Sequence, residues 1–600
     1  MLVQKKYGPM MLRADPPYWW AGMENKELEL LVHGQNLEGC TVQLTHGPKE
    51  TVLVEAIPAA NKEYIYLKLI VGKHAGPCHF TFTNAKGKST ELNYEIKQRE
   101  VAHARGLSPA DLIYLVFPDR FSNGFTGNDA VATMQEPICD RSALKGRHGG
   151  DLLGIINHLD YIEQLGATAV WLNPVLENDQ PRDSYHGYAF TDHYMVDKRL
   201  GTNYNYRNLC DSLHKRNMKV VWDVVYNHWG NEHYLHKNLP DSNWVHWFPQ
   251  FTRTSYRAET LMDPYASNFD KNIMSNAWFD HHMPDLNQQD AHLAAYLIQN
   301  SIWWIEDAGI DAFRIDTYAY PDQLFMKQLN EAILKEYPDF FLFGETWVQG
   351  PQVQSWFTTG NGLNKQFDSG LHGVTDFQLY YAITKGLNEN FGWEEGFRRI
   401  ELTLTQDLLY KDAYMNVTHL DNHDLGRFYS MVGEDYNKWK MGMAMLYTLR
   451  GIPCIYYGTE LLMTGHTNPD ALVRQDFPGG WPTDTLNKFL VLDRTTQEQE
   501  AFEFCSKLGN WRKTNAWFGR SLLTQFVPEN NTYVYFRHDA GHTLMCIYNG
   551  NETAFDLDLS RFAECIKGAA VASDILSGEQ HVLGTTLKLA PKSVMLLELD

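Results

Sequence analysis

The 600-residue chain has few cysteines. Its eight, Cys40, Cys78, Cys139, Cys210, Cys454, Cys505, Cys546 and Cys565, form no Cys-x-x-Cys pair and no dense framework. Structural zinc and a disulfide scaffold are therefore not expected. Positive charge is also short, with 52 Lys plus Arg against 73 Asp plus Glu and a net charge of −21. That balance repels a phosphate backbone, so nucleic acid is not an expected partner. Long apolar runs are missing too: Pro9, Arg13, Asp15 and Glu24 interrupt any signal-peptide core, and no export signal is expected in the chain as it stands. The best candidate for a membrane span, 441–457, contains Arg450, Gly451 and Pro453 and reads as a buried helix, a turn and a strand. Low-complexity tracts and internal repeats are absent. What is present, 44% hydrophobic, 13% aromatic and 21% charged residues, is the composition of a folded globular chain. The length accommodates one large domain with smaller modules beside it.

Residues 1–103 read as strands between turn residues, at 28–33, 41–44, 51–54, 64–70 and 78–83, which predicts a small N-terminal β-sandwich. From about 104 to 519 short apolar runs alternate with helical segments: 112–117, 169–172, 220–225, 312–315, 341–344, 374–377, 417–420 and 454–457. One intervening helix would carry Leu293, Leu297, Ile298, Ile302 and Ile305 on a single face. Eight such runs, with no G-x-G-x-x-G after the first, fit an α/β fold of the TIM (β/α)8 barrel type better than a doubly wound sheet. An aromatic-rich insertion, 229–283, follows the third strand and contains Trp244, Trp247, Phe248, Phe251, Tyr256, Tyr265 and Trp278. From 520 to 600 strand-like alternation returns, at 533–536, 544–548 and 594–599, predicting a C-terminal antiparallel β domain.

Four weak motifs are set aside. Gly87-Lys88-Ser89 lies between β runs and reads as a hairpin turn, since the first glycine of a phosphate loop would fall on Phe82. His233-x-x-His236 and Asp280-His281-His282 lack the form of a zinc site and read as solvated loop histidines. Ser369 lacks the first glycine of a nucleophile elbow, where Phe367 stands.

Four strand ends finish in polar residues of related chemistry: Asp223-Val-Val-Tyr-Asn227-His228, Phe313-Arg314-Ile315-Asp316, Gly344-Glu345-Thr346-Trp347 and Leu420-Asp421-Asn422-His423-Asp424. Barrel active sites lie at that end of the strands. An acid after a strand is often only a helix cap; four in this order point to a site. With these segments, and with 168–174, Met283-Pro-Asp-Leu-Asn287 and 451–460, the sequence resembles the α-amylase superfamily, glycoside hydrolase family 13. Pro16-Pro-Tyr-Trp-Trp20, the flanking β domains and Leu589-Ala-Pro-Lys-Ser593 resemble the cyclomaltodextrinase and neopullulanase branch of bacterial starch-utilisation systems. Relatives of this branch usually carry Lys at the position of Asp285, whereas oligo-1,6-glucosidases carry Asp after Gln, so this sequence mixes the two.

The resemblance implies a retaining hydrolase of α-1,4 bonds in maltodextrins, cyclodextrins or pullulan, with transglycosylation as a side reaction. An oligo-α-1,6-glucosidase and a non-catalytic glucan-binding protein on the same fold are the alternatives. It assigns Asp316 as nucleophile, Glu345 as general acid and base, and Asp424 as transition-state stabiliser. Retention needs one ionised and one protonated carboxyl at the same pH, about 5–5.5 Å apart. Arg314, two residues from Asp316 on one strand face, is expected to keep Asp316 ionised, and like-charge repulsion to keep Glu345 protonated. His228 and His423 are expected to hydrogen-bond sugar hydroxyls, Tyr188 to stack under the reacting sugar with His186 beside it, and Trp347 with some insertion aromatics to form further platforms. The N-terminal domain is expected to help wrap the cleft. Asn123, Asn128, Asp129, Gly149 and Asp151 resemble the superfamily's structural calcium loop, with Phe125 where relatives have an acid. A periplasmic location, with the cytoplasm as the alternative, and a homodimer are further implications.

Overall fold

The computed structural model describes residues 8–100, 104–363 and 367–599. Eight short parallel strands form the centre: β1 Ile113–Val116, β2 Ala169–Leu172, β3 Lys219–Val224, β4 Ala312–Ile315, β5 Phe341–Gly344, β6 Gly373–Val374, β7 Val417–Thr418 and β8 Ile452–Tyr456. Neighbours pair in chain order, β8 returns to β1 through Cys454 opposite Ile113, and a bridge between Thr375 and Val417 joins β6 to β7. The sheet is therefore a closed TIM-type barrel, as expected. Both faces of its strands are covered, one by helices and one by the barrel interior, so they read as continuous apolar runs. The strands β1, β2, β4 and β5 are buried at every position.

The helix that follows the insertion, Ala291–Ala308, opens on Asp290, whose carboxylate accepts the amides of His292 and Leu293, and closes on Gly309 at φ 71°. These are the capping residue types that suit each end. Leu293, Leu297, Ile302 and Ile305 are buried as the periodicity predicts, while Ile298 is half-buried. The 441–457 run is the end of helix Tyr436–Thr448, a turn and β8. No helix among the described residues is long and apolar enough to cross a membrane.

The N-terminal domain is a sandwich of two four-stranded sheets. Gly87 and Lys88 turn the hairpin between Gly76–Thr83 and Ser89–Lys97. This domain packs on the barrel's flank and on the base of the insertion. Arg13 holds Asp192 through two bonds of 2.5 and 2.8 Å and lies 4.0 Å over the Tyr234 ring. Arg99 pairs with Glu306 and Glu336, and the Asn61 amide donates to the Pro240 carbonyl. The C-terminal domain has a six-stranded sheet beside a two-stranded one. Its buried Arg537 donates to the carbonyls of Thr448 and Leu449, which fastens the sheet to the end of the helix before β8.

Candidate active site

A cleft of about 640 Å³ opens at the C-terminal ends of the barrel strands. Asp316, Glu345 and Asp424 line it, with Tyr188, His186, His228 and Trp347. The barrel itself sets the first two: the Asp316 amide donates to Val224 O and the Glu345 amide to Ile315 O, each at 2.8 Å, continuing the ladder one residue past the strand. Gly344 must lack a side chain, because a Cβ there would stand 2.5 Å from the Tyr318 ring. Thr317, next to Asp316, takes a left-handed φ of 43°, a strained conformation for a β-branched residue. Its amide, aimed by that turn, donates to Glu345 Oε2 at 2.9 Å.

Arg314 joins the carboxylates. Its Nη1 donates to Asp316 Oδ1 at 2.6 Å and to Asp223 Oδ1 at 2.8 Å, and its Nη2 lies 3.0 Å from Glu345 Oε2. Asp316 and Glu345 are thus separated by no more than two such contacts and the width of one guanidinium. Burial pushes Glu345 up to about 7, and Asp316 and Asp424 add to the rise against the pull of Arg314. Like-charge repulsion, expected to be the main cause, comes second to desolvation. Burial also raises Asp223 and Asp316, each to about 6, with Arg314 opposing the rise. Asp424, half-buried, is held well below the carboxylate range by His423, Arg474 and Arg314 against the cost of desolvation. Arg474 donates to Asp424 Oδ1 at 2.7 Å, and His423 Nε2 lies 3.1 Å from Asp424 Oδ2.

The sugar-contact expectations divide. Tyr188 presents its ring to the cleft while its hydroxyl is fixed by Asn173, Asp223 and His423 at 2.8, 3.0 and 2.7 Å. His186 Nδ1 accepts the Tyr188 amide, which leaves Nε2 as the protonated nitrogen. His228 stacks on Phe279, and burial lowers it to about 3, so it is neutral. His423 is fully buried and lies outside the cleft lining, where it holds Tyr188 and Asp424. Arg314 likewise acts on the carboxylates from beneath. Trp347 is 47% exposed, stacks parallel to Phe377 at 5.2 Å and donates to Tyr381.

Among the insertion aromatics, Trp244 is core, Tyr256 lines the cleft and Trp247, Phe251 and Tyr265 face solvent away from it. Among the described residues none from the N-terminal domain lines the cleft, contrary to expectation, because that domain is docked on the barrel's flank. Sequence reasoning missed Tyr320, Phe279, Lys145 and Arg474 in the lining. These come from loops with no strand-end signal. Asp285 is buried off the cleft, 2.7 Å from His246 Nδ1.

Of the residues expected in the calcium loop, Asn123, Asp129 and Gly149 meet. Asn123 Nδ2 donates to Asp129 Oδ1 at 2.8 Å, and a Cβ on Gly149 would meet both side chains at about 3 Å. The Oδ1 atoms of Asn123 and Asn128 are buried without a hydrogen-bond partner. Two orphan carbonyl oxygens beside a carboxylate suit a hard cation. Asp151 differs from expectation, since its carboxylate accepts the amides of Gly124, Phe125 and Gly154 and caps helix Leu152–Asn157. His233, expected in a solvated loop, is fully buried with its Nε2 bonded to His193, and no cluster of three or more His, Cys, Asp or Glu fit for a metal occurs among the described residues.

Comparison with known proteins agrees with this geometry. Residues 115–518 match the family model for the α-amylase catalytic domain, 13–100 that for the cyclomaltodextrinase N-terminal domain and 523–598 that for the cyclo-malto-dextrinase C-terminal domain. The chain is 27% identical to a β/α-amylase of Paenibacillus polymyxa over 80% of its own length, spanning 37% of that longer protein. It is 27% identical to neopullulanase 2 of Thermoactinomyces vulgaris, covering 80% of this chain and 76% of that one. The crystal structure of an Anoxybacillus α-amylase superposes with a TM-score of 0.67 at 25% identity, over 82% of this chain and 98% of that one. With a matching catalytic model and carboxylates at three strand ends of a closed barrel, the chain belongs to the α-amylase family of glycoside hydrolases.

Proposed function

We propose that the protein hydrolyses α-1,4-glucosidic bonds of maltodextrins, cyclodextrins or pullulan with retention of configuration, with transglycosylation as a side reaction. The observation that carries this reading is the Arg314 bridge, which holds the Asp316 and Glu345 carboxyls within one guanidinium's reach at the ends of successive strands. Asp316, ionised against Arg314, attacks the anomeric carbon. Glu345 gives its proton to the leaving glycosidic oxygen, and a glycosyl ester forms on Asp316. Glu345, now a carboxylate, takes a proton from water, whose oxygen attacks the same carbon and frees Asp316. Asp424, fixed as an anion, stabilises the positive charge that develops on the sugar ring. Tyr188 supplies the stacking face, and His186, His228 and Trp347 further contacts.

Reducing-sugar release from β-cyclodextrin, pullulan, soluble starch and isomaltose, measured beside Asp316→Asn, tests the proposal. Release from the first three, lowered about a thousandfold or more by the substitution, is the expected result. Isomaltose cleavage alone would favour the 1,6-glucosidase. That alternative rested on Asp285, which pairs with His246 and does not line the cleft. Glucan binding without release would favour the non-catalytic protein.

Asn123, Asn128, Asp129 and Gly149 fit a structural calcium, which would tie the loop after β1 to the one before β2 and take no part in bond cleavage. A rise in Tm on adding calcium to chelator-treated protein, absent in Asn128→Ala, checks it. The resemblance to starch-utilisation enzymes favours the periplasm over the cytoplasm and a homodimer over a monomer. Fractionation and sedimentation test these two points.

A further inference from the structure

We propose that the outer face of the insertion carries a second glucan-binding site, a platform of Trp247, Trp278 and Phe251 that takes the part of an α-1,4-glucan too long for the cleft. The proposal rests on the glucan-hydrolase reading and adds a site outside it. Trp247 is 55% exposed and Phe251 39%, although burying such rings is worth roughly 1.5–3 kcal/mol each. Both indoles have their polar edge fixed: Trp247 Nε1 donates to Ser242 O at 2.9 Å and Trp278 Nε1 to His246 O at 2.8 Å. The rings are held in orientation by these bonds, and what Trp247 leaves to solvent is mostly apolar face. An aromatic face covers the C–H face of a pyranose.

The rings form a row. Trp247 and Trp278 are 5.7 Å apart with planes at 59°, and Trp278 and Phe251 6.2 Å apart at 75°. The rings meet at steep angles and form no flat surface, which suits a curved α-1,4-glucan better than the flat ribbon of a β-1,4-glucan. The row runs into the cleft wall. Phe251 stacks on His281 at 3.6 Å, and the neighbours of His281, Asp280 and His282, line the cleft. Arg253 ties the two surfaces, bonding Asp280 at 2.5 Å while lying 6.0 Å over Phe251. His236, stacked against Trp247, and Arg253 place hydrogen-bonding groups beside the rings, as a polyhydroxylated ligand requires.

Electrophoresis through gels containing amylose, with maltotriose hydrolysis measured in parallel, tests the platform. Wild type should be retarded, and Trp247→Ala and Phe251→Ala should weaken retardation about five- to tenfold. Maltotriose kcat/KM should stay within about twofold, KM for soluble starch should rise, and Trp247→Phe should restore most of the retardation. Unretarded wild type, full retardation of Trp247→Ala, equal retardation by hydroxyethylcellulose, or an equal loss of maltotriose turnover would each overturn the proposal. So would a change of sedimentation in Trp247→Ala, which would make this face an interface between copies. Trp247-dependent retardation in a protein that cleaves no α-glucan would keep the platform and discard the catalytic reading.

Discussion

Glu345 and Asp316 make pH the most direct probe of individual residues. Turnover needs Asp316 ionised and Glu345 protonated, so kcat/KM should rise through the Asp223–Asp316 titration near 6 and fall as Glu345 loses its proton near 7. A bell centred between them in a pH–rate profile is the expected outcome. The same raised value has a stability consequence. A carboxyl whose folded pKa exceeds its unfolded one binds more protons when folded, so stability falls as pH rises from about 4.5 to 7 and stays lower above. Glu345→Gln removes this group's share of that dependence and leaves the part due to Asp223 and Asp316. It should be more stable than wild type by about 3 kcal/mol at pH 8 and about equal at pH 4, read by denaturant titration. The three carboxylates and Arg314 were legible because each sits at a strand end of recognisable chemistry. The order of causes at Glu345 was not, because burial depends on loops such as those carrying Tyr320 and Arg474.

Elements were legible where one period dominated. The barrel strands announce themselves as apolar runs, and the 291–308 helix by its spacing and caps. The sixth strand lies at Gly373–Val374 and not at 374–377, because Asp376 caps helix Phe377–Asn388 by accepting the Leu379 amide. Strand Ser89–Lys97 lies outside the runs read from the sequence, although Leu92, Tyr94 and Ile96 alternate with Glu91, Asn93 and Glu95 as in a half-exposed strand. The insertion's aromatics could not be sorted from sequence into core, cleft and surface, since that division depends on which side of the segment meets the barrel. At β5, packing fixes the catalytic backbone. Gly344→Ala drives a Cβ against Tyr318, and the strand end must shift. It should cost about 1–3 kcal/mol of stability and lower kcat more than it raises KM, checked by urea titration and steady-state kinetics.

At the scale of the whole molecule, the three-part layout was legible from where alternation of period 2 gives way to β/α units and returns. The docking of the parts was not, because it depends on ion pairs between residues far apart in sequence, such as Arg13 and Asp192. Arg13→Ala leaves Asp15 and Asp192, both buried, without their shared partner. It should cost about 3 kcal/mol and separate an early N-terminal transition in calorimetry, while maltotriose turnover stays within about twofold. The same seam reaches further than stability. Tyr234, at the start of the insertion, bonds Asp15, and Asn61 grips Leu239 and Pro240 beyond it. The segment that goes on to supply Tyr256 and Phe279 to the cleft is thus moored from outside the barrel. A domain with no described residue in the lining thereby braces the segment that supplies part of it, from a joint far from any sugar.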